Sequence, residues 1–199
     1  MATAYTSNNE KKDIIPILNN VLTKYEGKEY HTYYDPADKL GNITIGIGTL
    51  LYKDGAITKN GKELMRLLGE TNEASFRKLV KPNANKTRII PVEKENLIIE
   101  LFSFALNDTL LEVKKQISNW ESLPYKAQVV AINIAYQWGP NGAKGTFNAI
   151  NRKDYAAAVD RFFENSLIYD HIKNKKTGIS VERQYWNGKI LLQCAEEAI

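Results

Sequence analysis

The sequence predicts an α+β protein in which a small β-containing lobe is joined by a long helix to a larger, all-helical lobe. Residues 30–52 are rich in Tyr, Thr, Ile and Gly, and a turn-rich segment separates two β-prone runs there. After Pro91 the apolar residues recur at intervals of three and four, which is typical of helices. The pattern that follows Pro91 is long enough for one helix to connect the two lobes.

The composition is that of an ordinary globular protein. Of the 199 residues, 43% are hydrophobic and 25% are charged, which excludes disordered, collagen-like and fibrous classes. The length corresponds to one large domain or two small lobes. Cys194 is the only cysteine, and His31 and His171 are the only histidines. The sequence therefore predicts neither an internal disulfide nor a structural metal site.

The chain carries a mild excess of positive charge, with 27 Lys and Arg against 23 Asp and Glu, or +4. This excess favours an anionic partner and leaves nucleic acid, anionic lipid and bacterial wall open. A basic nucleic-acid-binding domain has only the net charge in its favour, because the basic residues are scattered. Residues 1–12 form a polar tail without the apolar core of a signal peptide, and no apolar run of about 18 residues follows. We expect a protein that is made in the cytoplasm and does not insert into membranes.

The first structured element is predicted to be a helix over residues 13–26. Its apolar positions include Ile15, Leu18 and Leu22, spaced by three and four. Gly27 then ends the helix. Residues 35–42 form the turn of the hairpin or small antiparallel sheet that follows. The small lobe is expected to span about residues 28–90.

The later helices are predicted from capping residues and apolar spacing. The polar segment 69–86 has no assigned structure and resembles an insertion. The linking helix begins at about residue 92, with a break expected near Asn107-Asp108, and the helical lobe covers about 106–199 together with helix 13–26. The segment 124–138 is apolar on nearly every face and is expected to be the central helix, ended by Gly139. The other predicted helices span residues 58–68, 154–165 and 180–196.

Glu26 stands out as a candidate catalytic acid. It continues the apolar stripe of its helix, so we expect its carboxyl group on the buried side. Burial and the negative end of the helix dipole both raise the pKa of a carboxyl group. A carboxylic acid that stays protonated near neutral pH is suited to general-acid catalysis. An ion pair with a core Lys or Arg is the structural alternative for the same residue.

Asp35 is a candidate second carboxylate, in a wetter environment. It ends a Tyr33-Tyr34 strand and precedes Pro36, which directs it to a turn. A buried acid and an exposed carboxylate together are the arrangement used in glycoside hydrolysis. Asp38 competes for the second role, and an aspartate in a turn is often only a turn former.

A glycine-rich strand with alternating faces follows, from Gly41 to Gly48. Thr44, Gly46 and Gly48 are expected on one bare, polar face, and the intervening isoleucines on the other. Bare glycines allow a ligand or a second backbone to approach, and a threonine hydroxyl can hold a water molecule. A glycine-rich edge strand without a ligand is the alternative.

These residues together resemble the phage-type lysozymes, a family with an E-G, Y-x-D, T-I-G-x-G signature. The matching residues are Glu26-Gly27, Tyr34-Asp35 and the segment from Gly41 through Thr44-Ile45-Gly46 to Gly48. The resemblance extends over about residues 13–199, because the segments 135–139 and 178–183 are also similar to the family. It implies a single lysozyme-like catalytic domain with a cleft between the two lobes.

The resemblance also implies an activity and roles for individual residues. The family cleaves the β-1,4 bond between N-acetylmuramic acid and N-acetylglucosamine in peptidoglycan glycan strands, in the manner of an inverting hydrolase. The resemblance implies no cofactor and no metal, and we expect the protein to be a monomer. Glu26 is the implied general acid, and Asp35 and Thr44 activate water. The implied substrate-binding residues are Leu50, Tyr136 and Gln137.

Two departures from the family pattern affect these roles. Three additional residues separate Asp35 from Thr44, so Asp38 has the family's usual distance to Thr44; the spacing from Glu26 still favours Asp35. Thr49 stands where family members often carry His, and Ala105 stands where its acidic partner is expected. Since both members of that pair are absent, no buried charge is left unpaired.

The sequence supports other interpretations less well than a muramidase. The segment 139–146 resembles a phosphate-binding loop only superficially, because Lys and Gly are transposed and it follows a helix. His171 lies in a polar stretch that does not suit a nucleophilic triad. Cys194 reads as a small helix-packing residue. A catalytically silent lysozyme-like protein that binds glycan or a partner is the main alternative, and retention of Glu26, Asp35 and Thr44 argues against it.

The biological setting follows from the family and the polar N-terminus. A phage endolysin, a virion-borne lysozyme and a secreted antibacterial effector share this catalytic core. Each would be made without a signal peptide and would reach the cell wall in the periplasm through a separate pore or delivery system. The family's usual membership favours the endolysin.

Overall fold

The fold is mixed α+β, as the sequence predicts. The computed structural model describes Ile14, Leu18, Thr23 and residues 28–34, 41–83, 85–164 and 181–197. Its strands are β1 (Glu29–Tyr34), β2 (Ile43–Gly46), β3 (Thr49–Lys53) and β4 (Ala56–Ile57). Its helices are α1 (Lys59–Leu68), α2 (Glu73–Leu79), α3 (Asn96–Gln116), α4 (Tyr125–Gly142), α5 (Lys144–Asn151), α6 (Tyr155–Phe163) and α7 (Val181–Glu196).

The four strands form one antiparallel sheet in sequence order, β1-β2-β3-β4. Tyr34 pairs with Ile43 across β1 and β2, and Ile43 pairs with Tyr52 across β2 and β3. The register shifts within both strand pairs, which is the signature of bulges that bend and twist the strands. This sheet confirms the antiparallel hairpin region predicted from the Tyr, Thr, Ile and Gly content.

The predicted alternation along the glycine-rich strand is only partly correct. Strand β2 ends at Gly46, where φ is +67°, and Gly48 at φ +68° lies in the turn before β3. Gly48 therefore does not extend the face of Thr44. Nor is that face bare, because Thr44 is only 7% exposed and a Cβ on Gly46 would lie 3.3 Å from the Ile98 side chain. The glycines allow a helix side chain to approach the sheet closely.

Helix α1 agrees with the predicted segment 58–68 at both ends. The Thr58 side chain accepts a hydrogen bond from the Gly61 amide, a standard N-cap. Gly69 ends the helix with φ +77° in the left-handed region. The same Thr58 hydroxyl donates to the carbonyl of Leu50 at 2.7 Å, so the cap also fastens the helix to β3.

The segment 69–86 contains a helix that the sequence analysis left unassigned. Helix α2 is capped by Asn72, whose side chain accepts from the Ser75 amide. Its residue Phe76 is fully buried and stacks on Tyr52 of the sheet, with ring centroids 6.3 Å apart. Helix α2 therefore packs on the sheet as part of the β-containing region.

The long helix α3 is continuous, and the break expected near Asn107-Asp108 is absent from it. It also begins later than predicted, since Pro91 caps a short 3-10 turn at Val92–Lys94 and the α-helix starts at Asn96. On one side α3 packs against α1 and β3, and on another against α4. Lys59 of α1 pairs with Asp108 of α3 at 2.7 Å.

Helix α4 is the central helix of the second half of the chain, as predicted. It contacts α3, α5 and α7, and the run Val129–Ile132 is buried, as are Ile134 and Ala135. Gly139 interrupts it with φ +70° and ψ 159°, so the predicted stop is a kink after which helical turns resume. Helix α5 was not predicted, and it contains the last three residues of the supposed phosphate-loop segment 139–146.

Helices α6 and α7 agree with their predicted positions, whereas both ends of the predicted helix 13–26 lie outside the described residues. Asp154 caps α6 by accepting a hydrogen bond from the Ala157 amide, and α7 packs against α4 and α6. Ile14, Leu18 and Thr23 have helical backbone, and the first two side chains are buried. Among the described residues, no helix is long and apolar enough to cross a membrane.

Candidate functional site

The described residues cover four of the six predicted site residues. Thr44 and Leu50 lie on neighbouring strands of the sheet, whereas Tyr136 and Gln137 lie on α4. Glu26 and Asp35, and also the competing Asp38, lie outside the described residues.

Thr44 belongs to a row of three residues that crosses the sheet. It is paired directly with Tyr33 of β1 on one side and with Leu50 of β3 on the other. Directly opposed residues in antiparallel strands project from the same face. The Thr44 hydroxyl therefore shares its face with an aromatic and an aliphatic side chain, both partly buried. Tyr33 is not among the predicted site residues. The register that brings it opposite Thr44 depends on a bulge, which the sequence does not reveal.

Tyr136 attaches the sheet to helix α4. Its hydroxyl donates a hydrogen bond to the carbonyl of Ile47 at 2.6 Å and lies 3.2 Å from the Thr49 hydroxyl. Its ring packs edge-on against Phe102 of α3, with centroids 5.3 Å apart and planes at 88°. The residue predicted to line the sugar cleft thus has its polar end bonded to the β2–β3 turn.

Thr49 and Ala105 are both buried, at 2% and 4% exposure. These are the positions at which the resemblance leads one to expect a His and an acid. The Thr49 hydroxyl is instead in hydrogen-bond distance of Tyr136. The contact that the structure shows at Thr49 is therefore neutral and joins β3 to α4.

Gln137 lies next to Tyr136 and faces helix α7. Its Oε1 accepts a hydrogen bond from Nε2 of Gln184 at 2.7 Å. The Nε2 of Gln137 is buried and has no hydrogen-bond partner among the described residues. A buried amide donor without a partner costs about 1–3 kcal/mol.

A buried polar cluster beside Gln137 was missed by the sequence analysis. Arg183 of α7 is completely buried, and its guanidinium donates to the side-chain and main-chain oxygens of Asn133. The Asn133 amide in turn donates to Asn187. The available signal was Asn133 itself, the single polar residue within the apolar run 129–135, because a buried amide requires partners.

The outer edge of β1 is fixed by the segment after α2. The Ile89 amide donates to the carbonyl of Tyr30 at 2.8 Å. The Arg88 guanidinium lies over the Tyr30 ring at 4.1 Å and pairs with Glu95. Burial, followed by the Glu95 charge, raises the pKa of Tyr30. These contacts stabilise the strand whose last residue, Tyr34, directly precedes Asp35.

Among the described residues, Cys194 and the acidic side chains outside the sheet show no arrangement of a catalytic or metal site. Cys194 is 1% exposed, and burial raises the pKa of its thiol to about 11, which agrees with a packing role. No group of three or more His, Cys, Asp and Glu residues with the arrangement of a metal site occurs in the part of the chain that the structure describes.

The described site residues supply a hydroxyl, an amide, an aromatic ring and an aliphatic side chain. Such groups can bind and orient a ligand, whereas proton transfer requires titratable groups, for which the sequence offers Glu26 and Asp35. No family model matches the chain, and no curated protein matches it significantly. The function must therefore be inferred from the residues of this chain and from their geometry.

Proposed function

We propose that the protein is a muramidase that hydrolyses the β-1,4 bond between N-acetylmuramic acid and N-acetylglucosamine in peptidoglycan. One observation carries the proposal beyond the sequence signature. The segment containing Thr44 folds as a β-hairpin that is bonded through Tyr136 to the central helix. A lysozyme-like arrangement, with a cleft between the sheet and the helices, is part of the proposal.

Glu26 is the proposed general acid, which protonates the glycosidic oxygen as the bond breaks. Support comes from Leu18, which is helical and fully buried. Glu26 follows Leu18 by eight residues, or about two helical turns. The helix predicted over residues 13–26 would place the Glu26 carboxyl group within about 80° of the Leu18 direction, and burial on that side would raise its pKa toward the working range of a general acid.

Asp35 is the proposed base, which activates a water molecule on the opposite face of the sugar with help from Thr44. The inverting mechanism requires about 6.5–9.5 Å between the two carboxyl groups, to leave room for the water. Asp35 follows directly on β1, and Tyr33 of that strand pairs with Thr44. Leu50, Tyr136 and Gln137 are the proposed sugar contacts, and the mechanism uses no cofactor.

The proposed setting is bacterial cell-wall lysis by a phage endolysin. The enzyme would be made in the cytoplasm and would reach the wall through a separate pore. A virion-borne lysozyme and a secreted effector use the same chemistry on the same bond. Because the three settings differ only in delivery, the biochemical test does not depend on them.

The test is digestion of purified peptidoglycan, with mass spectrometry of the released fragments. The unmodified protein should release muropeptides with reducing N-acetylmuramic acid ends, and Glu26→Gln should release none while keeping its circular dichroism spectrum. Glu29→Gln is the matched control and should remain active, because Glu29 is an exposed residue paired with His31. A folded, fully active Glu26→Gln variant would refute the acid assignment.

The second carboxylate is tested by separate Asn substitutions at Asp35 and Asp38. Asp35→Asn should lower the rate by a factor of about 10² or more, and Asp38→Asn should have a small effect. The reverse result would assign the base to Asp38. If a folded preparation releases nothing from walls of several chemotypes, the protein is a glycan- or partner-binding relative, and the hydrolase proposal fails.

A further inference from the structure

The hydroxyl groups of Tyr136 and Thr49 form a directed hydrogen-bond chain. The Ile47 carbonyl is only an acceptor, so the single Tyr136 proton is donated to it over 2.6 Å. The Tyr136 oxygen is then the acceptor for the Thr49 proton over 3.2 Å. Because each bond in such a chain polarises the next, the two bonds strengthen one another.

This chain holds both ends of a tight turn. Ile47 is the first residue after β2, and Thr49 is the first residue of β3. One hydroxyl from α4 therefore bridges the two sides of the Ile47-Gly48 turn. The Tyr136 ring is held in place by Phe102 of α3, so the attachment point belongs to two packed helices.

The attachment point is close to Thr44 and Leu50, two of the three residues in the row that crosses the sheet. Thr49 pairs directly with Ile45, and the next pair along the strands is Thr44 with Leu50. A shift of Thr49 is thus transmitted to Thr44 through consecutive backbone pairs. Thr49 is buried and Tyr136 is partly buried.

We propose that Tyr136 and Thr49 are positioning residues, whose hydroxyl chain fixes the β2–β3 hairpin on α4 and thereby sets the orientation of the Thr44 hydroxyl. The inference rests on the proposed hydrolysis for its effect on catalysis, but the attachment itself does not. Tyr136 then serves the site by holding the hairpin, in addition to any contact that its ring makes with a sugar.

The test compares substitutions that remove one hydroxyl and leave the shape of the side chain nearly unchanged. Tyr136→Phe removes both hydrogen bonds and keeps the ring on Phe102, and Thr49→Val removes the donor alone. Thr49→Ser keeps a hydroxyl donor at this position. Tyr185→Phe is the control, since Tyr185 is 58% exposed on α7.

The first measurement is amide hydrogen exchange at Gly48, Thr49 and Leu50, which does not require activity. Tyr136→Phe should speed hairpin opening by roughly five- to thirtyfold, the effect of losing one to two net hydrogen bonds. Thr49→Val should give a smaller increase, whereas Thr49→Ser and Tyr185→Phe should match the unmodified protein. Unchanged exchange in Tyr136→Phe would overturn the inference.

The second measurement is hydrolysis of soluble glycan strands. If the two residues position Thr44, Tyr136→Phe should lower kcat and leave KM within about twofold, since uniform binding is preserved. A rise in KM alone would show that the Tyr136 hydroxyl binds sugar directly, and would overturn the positioning role. If the unmodified protein is inactive while Tyr136→Phe still speeds exchange, the proposed function and the positioning role fail together, and the attachment stands as a structural contact.

Discussion

Nη2 of Arg183 in α7 donates hydrogen bonds to both oxygens of Asn133 in α4, the side-chain oxygen at 2.7 Å and the main-chain oxygen at 3.1 Å. Both residues are completely buried. The bonds are charge-assisted and therefore stronger than bonds between neutral groups. They join the last helix of the chain to the central helix next to Gln137.

Asn133→Ala should lower the free energy of unfolding by about 2–4 kcal/mol, because the buried Arg183 guanidinium loses one of its hydrogen-bond acceptors. Urea denaturation followed by circular dichroism measures this change. Asn96→Ala is the control and should change the free energy by less than about 0.5 kcal/mol, since Asn96 is exposed. A loss below 1 kcal/mol for Asn133→Ala would contradict the assigned bonds.

Thr44→Val should reduce the proposed hydrolysis by at least about tenfold, because the hydroxyl that places the water is lost while the shape is kept. Thr44→Ser should retain most of the rate. Initial rates on soluble glycan strands provide the comparison, with the exposed Thr87→Val as control. Full activity of Thr44→Val would exclude a role for this hydroxyl in catalysis.

Alanine substitutions at two helical glycines should change the stability of the protein in opposite directions. A Cβ on Gly61 would lie 2.4 Å from the Leu51 carbonyl oxygen, whereas a Cβ on Gly145 would meet only Arg161, at 3.9 Å. Gly61→Ala should therefore destabilise the protein by about 2–3 kcal/mol. Gly145→Ala should stabilise it by about 0.5–1 kcal/mol through helix propensity. Thermal unfolding of both variants would reveal the opposite signs, and a stabilised Gly61→Ala would refute this packing.

The free energy of unfolding should fall as the pH rises from about 9 to 11. Burial raises the pKa of Cys194 to about 11 from its ordinary 9.0. In this interval the unfolded chain releases the thiol proton and the folded chain retains it, so the unfolded state is favoured. Denaturation at several pH values should show a shallower decline for Cys194→Ala. An equally steep decline would remove Cys194 as a cause.

The sequence was most informative where local chemistry determines structure. Thr58 and Gly69 mark both ends of α1, because capping depends on a few neighbouring residues. Helix α2 carried the same kind of signal, an Asn72 cap before the buried pair Phe76 and Val80. Its charged composition concealed that short apolar stripe.

The arrangement of the site depends on contacts that no local pattern contains. Tyr136 and Thr49 are 87 residues apart, and Arg183 of α7 donates to Asn133 of α4, which is 50 residues away. The prediction of a bare face around Thr44 is wrong, because the Ile98 side chain covers Gly46 and is distant from it in sequence. The resemblance identified the candidate site residues one by one. The structure shows which residues of other strands and helices they pair with.

The order of strands in the sheet also has a consequence for folding. Each described strand pairs with its immediate neighbour in sequence, so the sheet is built from low-contact-order pairings that close short loops. During synthesis these strand pairs can form before α4 and α7 leave the ribosome. The Tyr136 contact, in contrast, must wait for the central helix, which makes docking of a preformed hairpin the later event in assembly.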